Sequence, residues 1–308
     1  MMQACLHIMI SDSSPSLREA ARLVRCGLLQ VLGKGSTMSE TISEKLNDMA
    51  AAFPGKMQLI FRTLNGAPCE VAISPDERVV SASTIKVPVL ACLLDSLEED
   101  GISLDALHPV TKEDILDDTL VFDTGARKAS WYEIAWWMIV NSDNTAANVL
   151  MRALTFPKIN SWCREHNLLS TRAERMMLDY DAIRQGRNNY ISPSDYAALV
   201  IREDRLSRGE ERGSENERRK ASLLMQFLRG NRDYDALLRY IYEQPVCAHK
   251  SGDLDTVAHD AGIFEWQGKR WFLGVFTSGF DGTDMDYETA RAWIGRISRV
   301  VFDYMKER

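Results

Sequence analysis

The sequence predicts an α/β (α+β) fold: an antiparallel sheet of about five strands, built from both chain ends and flanked by terminal helices, with an inserted all-helical domain. Three observations carry that expectation. Runs of strand composition lie towards the two ends, the stretch from Ser83 to about Arg205 is patterned for helices, and the outermost segments read as amphipathic helices. A sheet assembled from both ends must bury its faces, and helices are the covering layer available.

In chain order, Thr41-x-x-Glu44 has the form of a capping box, and Leu46, Met49, Ala50 and Phe53 follow at helical spacing, so a helix is expected over about 40–53. Met57–Leu64 reads as a strand, Asn65-Gly66 as a hairpin turn and Cys69–Ile73 as the returning strand. Val87–Leu97 is an apolar run of helical length, ended by Glu98-Glu99-Asp100-Gly101. Trp131–Val140 is apolar almost all round, the pattern of a buried helix in which Trp136 and Trp137 serve packing, and Ala146–Leu154 continues as another helix. Ser192-Pro193-Ser194-Asp195 joins a cap, a first-turn proline and an acid, which start a helix. The interleaved charges of Arg205–Lys220 read as a solvated loop. Ala221–Leu228 and Tyr234–Tyr242 are expected to be helical. Val246–His249, Thr256–Trp266 and Arg270–Ser278 are expected strands, the last two joined through Gln267-Gly268-Lys269. Tyr287–Tyr304 closes the chain as a helix with Ala290, Trp293, Ile294, Ile297, Val300 and Val301 on one face. This places 38–75 and 215–308 in a sheet domain, 76–214 in the inserted helical domain, and 1–37 in an extension outside the fold.

The 308 residues carry a formal net charge of −7, with 45% hydrophobic and 26% charged residues, as suits a globular chain. That charge argues against a nucleic-acid partner, since phosphate binding needs clustered Lys and Arg. The six cysteines form no C-x-x-C pair and no His stands where a zinc site would want it, so free thiols, a reducing compartment and no metal or other cofactor are expected. Residues 1–37 hold two short apolar runs without the basic start, continuous apolar stretch and cleavage site of a signal peptide. No run approaches the ~20 apolar residues of a membrane span. The expectation is a cytoplasmic protein.

Three short motifs fall at three structural junctions. Ser83-Thr84-Ile85-Lys86 opens the first long helix, where residues three apart share a face and an amine can reach a hydroxyl. A serine hydroxyl needs a base to take its proton, and an amine serves once burial or a nearby cation lowers its pKa. Ser142-Asp143-Asn144 follows the buried Trp131–Val140 helix, and Lys250-Ser251-Gly252 lies on or just past a strand of the returning sheet. Each alone has a plain structural reading, as a helix start, a cap and a turn.

Together, S-x-x-K, S-D-N and K-T-G, with Ser251 in place of Thr, are the elements of class A β-lactamases and penicillin-binding proteins. The chain from about Glu40 to Arg308 resembles that serine hydrolase superfamily, which includes D-Ala-D-Ala peptidases. Intervals of 59 and 108 residues between the motifs are similar to the family's, as are Ser83–Leu90 and Asn141–Leu150 beyond the motif positions. The resemblance implies a β-lactamase/transpeptidase-like fold and the following roles. Ser83 attacks the carbonyl, Lys86 accepts its proton directly or through water, and Ser142 relays a proton to the departing nitrogen. Asn144 holds the substrate's side-chain amide and Asp143 supports the loop. Lys250 and Ser251 attract the substrate carboxylate, Gly252 leaves room beside the strand, and the backbone N–H groups of Ser83 and Asp253 form the oxyanion hole. The implied partner is a small-molecule substrate, a β-lactam or an acyl-D-Ala-like compound.

One region departs from the pattern. Class A enzymes deacylate with a Glu in an Arg-x-Glu-x-x-x-Asn arrangement, and the corresponding stretch here is Thr171–Pro193. Arg172-Ala173-Glu174 supplies an Arg-x-Glu, but Leu178 stands where Asn is expected. Aligning from Ala182-Ile183 instead puts Met176 or Met177 at the Glu position, with Asp179 and Asp181 the nearest acids. Glu174, Asp179, Asp181 and no dedicated base all remain open. Efficient β-lactam hydrolysis, D-alanyl-D-alanine peptidase or esterase action, and β-lactam binding without turnover are the functions in competition. His259-Asp260 reads as a structural pair.

Overall fold

The computed structural model describes residues 41–280 and 286–308, so the extension expected over 1–37 lies outside the described residues. The chain runs α1 (Ile42–Ala51), β1 (Lys56–Thr63), β2 (Glu70–Ile73) and β3 (Val79–Val80), then a 3₁₀ turn (Ala82–Ile85) that leads into α2 (Lys86–Glu99). It continues through β4 (Leu107–Val110), β5 (Arg127–Ser130), α3 (Trp131–Val140), α4 (Asn144–Leu154), α5 (Phe156–Glu165), α6 (Tyr180–Arg184) and β6 (Tyr190–Ile191). Next come α7 (Pro193–Ser207), α8 (Glu215–Arg229), β7 (Val246–Leu254), β8 (Val257–Trp266), β9 (Lys269–Ser278) and α9 (Tyr287–Glu307).

Strands from both ends make one five-stranded antiparallel sheet in the order β2-β1-β9-β8-β7. Alternation of side chains along these strands feeds two cores. Leu59 and Phe61 of β1 join Leu46 of α1 and Ile294, Ile297 and Val301 of α9 on one face. Ile60, with Ile263 and Phe272, faces the helices on the other. The α/β class and the sheet built from both ends are thus as expected. Short pairs, β3 with β6 and β4 with β5, had no signal in the sequence, because two to four residues are too few for a period to register.

Two segments differ from expectation. Arg205–Lys220 is mostly helical, not a solvated loop: α7 runs to Ser207 and α8 starts at Glu215, capped by Ser214 with Glu217 in a capping box. Arg208 is paired with Asp204 and Glu265, and Arg270 with Asp204 and Glu210, so the mixed charges tie helices to the sheet. Conversely, Tyr234–Tyr242 forms turns with no regular helix. The buried side chains of Ala236 and Leu237 dock that segment on the α9 core, and Asp260 accepts a hydrogen bond from Leu237 N at 3.0 Å. Tertiary anchoring replaces the helix there.

Trp136 stacks on Tyr132 and meets Phe227 edge-on, a packing role. Cys69, Cys92, Cys163 and Cys247 are free thiols, while Cys5 and Cys26 lie outside the described residues. Among the described residues no helix is long and apolar enough to cross a membrane.

Candidate active site

The nucleophile candidate sits in the 3₁₀ turn between β3 and α2. Ala82 has φ of 45°, the left-handed region that a side chain disfavours. The turn is held at Ser81, whose N donates to Asn189 O at 2.9 Å and whose carbonyl accepts from Thr84 Oγ1 at 2.6 Å. Ser83 is half-buried, and its backbone N lies against Gly252 of β7: a Cβ on Gly252 would come within 2.6 Å of Ser83 N and 3.0 Å of Thr84 N. The first and third motifs are therefore in contact, and this strand position has room for hydrogen only.

Lys86 is the first residue of α2 and is fully buried. Its Nζ lies 2.5 Å from Ser142 O, 3.2 Å from Ser142 Oγ and 2.7 Å from Asn144 Oδ1. Three partners use all three positions of the amine, so the expected direct bond to Ser83 does not form in this arrangement. Burial is the main cause that pushes the Lys86 pKa well below its ordinary value, Lys250 lowers it further, and Asp143 and Asp118 oppose. An amine so displaced gives up its proton more readily than an ordinary lysine.

The S-D-N triplet is a joint between helices. Ser142 has φ of 54°, Asp143 caps α4 by accepting from Ala146 N at 2.7 Å, and Thr119 Oγ1 donates to Asp143 at 2.5 Å. Asn144 bridges Lys86 and Asp118, donating from Nδ2 to Asp118 Oδ2 at 2.6 Å. Asp118 carries no motif, and only the fold brings it here.

Lys250 is fully buried on β7 and donates to Ser251 O at 2.8 Å; no bond to Ser142 forms among the described residues. Burial lowers its pKa to about 8, against the pull of Asp233, Asp260 and Asp253. On the other face of β7, Ser251 Oγ donates to Asp233 Oδ2. Arg291 of α9 pairs with Asp233 and, at 2.8 Å, with Asp253 Oδ2. Asp233 and Arg291 were not legible in the sequence, being remote from Ser251 and part of no pattern.

The segment over 171–193 covers the cleft. Ser83, Asn144 and Asp253 line one cavity together with Arg175, Met177, Leu178, Tyr180 and Ile183. Asn148 of α4 clamps Met177, accepting from its N at 2.6 Å and donating to its O at 3.1 Å. None of the three candidate acids lines this cavity. Glu174 is turned to Arg172 at 2.6 Å, Asp179 caps α6 by accepting from Ala182 N at 2.8 Å, and Asp181 is exposed beside Arg184. From this segment the cavity takes the thioether of Met177 and the alkyl groups of Leu178 and Ile183 beside Arg175 and Tyr180.

His259 and Asp260 alternate to opposite faces of β8 and are not a pair. His259 donates from Nε2 to Val80 O at 2.7 Å and accepts from Thr277 N, and burial lowers its pKa to about 4. Asp260 is bound instead to His249 Nδ1 at 2.9 Å.

Residues 41–305 match the β-lactamase enzyme family. No curated protein sequence matches significantly. Among solved structures the chain is similar to PBP-A, with 23% identity, 87% of this chain and 96% of that chain covered, and a TM-score of 0.73. It is similar also to TLA-3 extended-spectrum β-lactamase, at 19%, 86% and 98%, and 0.75. A β-lactamase from Chitinophaga pinensis gives 19%, 86% and 100%, and 0.73. At these identities the structures attest the fold, and the family assignment rests on the match over residues 41–305: the chain belongs to the β-lactamase enzyme family.

Proposed function

We propose that the protein is a serine hydrolase of the β-lactamase type that acts on β-lactams or related amides and esters through an acyl-Ser83 intermediate. The observation that carries the reading is the fully buried Lys86, its amine held by Ser142 and Asn144 and its pKa depressed by burial and by Lys250. In this mechanism Ser83 Oγ attacks the carbonyl carbon and its proton passes to Lys86, directly or through a water. Negative charge on the carbonyl oxygen is taken by the N–H groups of Ser83 and Asp253; such donors are commonly worth ~3–4 kcal/mol of barrier. Ser142, beside Lys86, passes a proton to the leaving nitrogen, and Lys250 supplies positive charge to the site.

Deacylation is the weak step. A water must attack the ester and lose a proton, and the 171–193 segment lines the cleft with Met177 and Leu178 and with none of Glu174, Asp179 and Asp181. Loss of a general base costs roughly 10²–10⁴-fold. Those side chains favour a second reading, a β-lactam-binding protein that is acylated and holds its adduct. A variant of PBP-A with leucine replaced by glutamate was solved as an acyl-enzyme complex with penicillin G, a state of the kind proposed for this chain. D-alanyl-D-alanine peptidase or esterase action would use the same residues.

Intact-protein mass spectrometry after addition of a penicillin or a fluorophosphonate, followed over time beside hydrolysis of a chromogenic cephalosporin, tests the reading. A slowly decaying adduct that is absent from Ser83→Ala is expected. Labelling that survives in folded Ser83→Ala would refute the nucleophile, and fast turnover without an adduct would refute the missing base.

A further inference from the structure

The connection from β4 to β5 runs along the second motif and meets it residue by residue. Leu116 N donates to Thr145 Oγ1 at 2.9 Å, Asn144 Nδ2 donates to Asp118 Oδ2 at 2.6 Å, and Thr119 Oγ1 donates to Asp143 Oδ2 at 2.5 Å. Thr119 Oγ1 also accepts from Phe122 N at 3.2 Å, and Phe122 is fully buried with the Arg127 guanidinium over its ring. Thr145, Thr119 and Phe122 thus anchor this connection by buried contacts. Asp118, between the anchors, is exposed, so its bond to Asn144 is not what holds the chain in place.

What that bond sets is the Asn144 amide. A carboxylate only accepts hydrogen bonds and an ammonium only donates them. With Asp118 on one side and Lys86 on the other, one orientation satisfies both: Nδ2 towards Asp118 and Oδ1 towards Lys86, at 2.7 Å. The two neighbours differ once chemistry starts. A lysine that has lost a proton can accept as well as donate, so it no longer selects the amide oxygen. Asp118 still does, and it occupies one Nδ2 proton while the other stays available to a substrate. Charge acts across the same bridge. Lys250 of β7 eases the loss of the Lys86 proton, and Asp143 at the joint of α3 and α4 and Asp118 of the β4–β5 connection oppose it. Lys250 and Asp143 are buried whereas Asp118 is exposed, so salt screens Asp118 most.

Resting on the acyl-Ser83 reading, we propose that Asp118 is a positioning residue of this site: it locks the Asn144 amide with its oxygen on Lys86 and its second Nδ2 proton left for the substrate, and it sets a negative charge against Lys86. It acts through Asn144 and Lys86 and takes no proton itself.

The test follows the second-order rate of labelling by a fluorophosphonate from pH 5.5 to 9.5, in low and in high salt, for the parent, Asp118→Asn, Asp118→Ala and Ser83→Ala. Both Asp118 variants should move the rising limb of the rate profile to lower pH. The displacement should be about half a pH unit in low salt, the effect of one charge across one amide near solvent, and smaller in high salt. Loss of a structural contact alone would scale the rate equally at every pH. Acylation by benzylpenicillin, read by intact-protein mass at the top of the profile, reports the amide. Asp118→Asn keeps an acceptor for Asn144 Nδ2 and should stay within threefold of the parent. Asp118→Ala should be at least tenfold slower with the penicillin, yet within threefold with the fluorophosphonate, which has no side-chain amide. Each variant reports the limb by itself if the other does not fold. A low-salt limb that coincides with the parent's or moves to higher pH in a folded variant, or penicillin acylation of Asp118→Ala as fast as the parent's, overturns the positioning role. When labelling is lost in Ser83→Ala yet the limb stays in place, only this inference fails; labelling that survives in folded Ser83→Ala, or no labelling and no adduct in the parent, overturns the acyl-Ser83 reading and the inference with it.

Discussion

Replacing Gly252 by Ala would separate the two motifs that meet at Ser83. The added Cβ would sit 2.6 Å from Ser83 N, 3.0 Å from Thr84 N and 3.2 Å from the Ala82 Cβ. Two of these are backbone atoms in a turn already strained at Ala82, so no flexible side-chain end is available to yield. Restoring an ordinary 3.4 Å contact requires Ser83 and β7 to part by 3.4 − 2.6 = 0.8 Å. That gap would move Ser83, the proposed nucleophile, and the two proposed oxyanion donors from their working positions. A misplacement of ~1 Å can cost ~10²-fold, and loss of one oxyanion donor ~10²–10³-fold, so labelling should slow by about two orders of magnitude. Overpacking should cost stability of about 1–3 kcal/mol. The assay is the second-order rate of labelling by a fluorescent fluorophosphonate, which bears no carboxylate, beside a urea melt of the same preparation. Labelling within threefold of the parent in a folded Gly252→Ala protein would refute the claim that this contact sets the geometry at Ser83.

Three further outcomes follow from the same geometry. Met177→Glu puts a carboxylate on the cleft wall at a position clamped by Asn148, and should raise steady-state hydrolysis of p-nitrophenyl acetate after the burst by at least tenfold; an unchanged steady rate would mean that position 177 does not reach the ester. Asn148→Ala leaves the Met177 N–H and C=O without their partner in a buried setting, so unfolding should become easier by roughly 2–4 kcal/mol, read from the urea midpoint. The Lys250 amine, with pKa lowered from 10.5 to about 8, binds its proton less well in the folded chain than in the unfolded one. Its penalty is complete below pH 8 and relieved between about pH 8 and 10.5, so this group makes the fold more stable as pH rises through that window. Lys250→Met should accordingly gain most over the parent at pH 7 and lose that advantage by pH 10; an advantage that grows with pH would contradict the sign.

Much of this protein was legible in its sequence because the signals are local. Runs of strand composition at both ends marked the sheet, and Ser192-Pro193 marked the start of α7. The spacing and order of Ser83–Lys86, Ser142–Asn144 and Lys250–Gly252 marked the cleft, since each motif is a short stretch whose chemistry lies within a turn or strand. What the tertiary structure alone decided depends on residues that are distant in the chain. Tyr234–Tyr242 has helical spacing yet is pinned as turns by Asp260 and the α9 core, and the Arg205–Lys220 stretch is tied down by Arg208 pairing with Asp204 and Glu265 and by Glu210 pairing with Arg270. Glu174 was one of several open candidates for a base, and the fold turns it to Arg172 while Asn148 presents Met177 at the cleft. Asp118, Asp233 and Arg291 gave no warning, because an isolated charge acquires a role only from the neighbour that the fold sets against it. A local pattern fixes which way a side chain leaves the backbone; long-range packing fixes what it meets and whether water is there, and those two decide charge and pKa in this cleft.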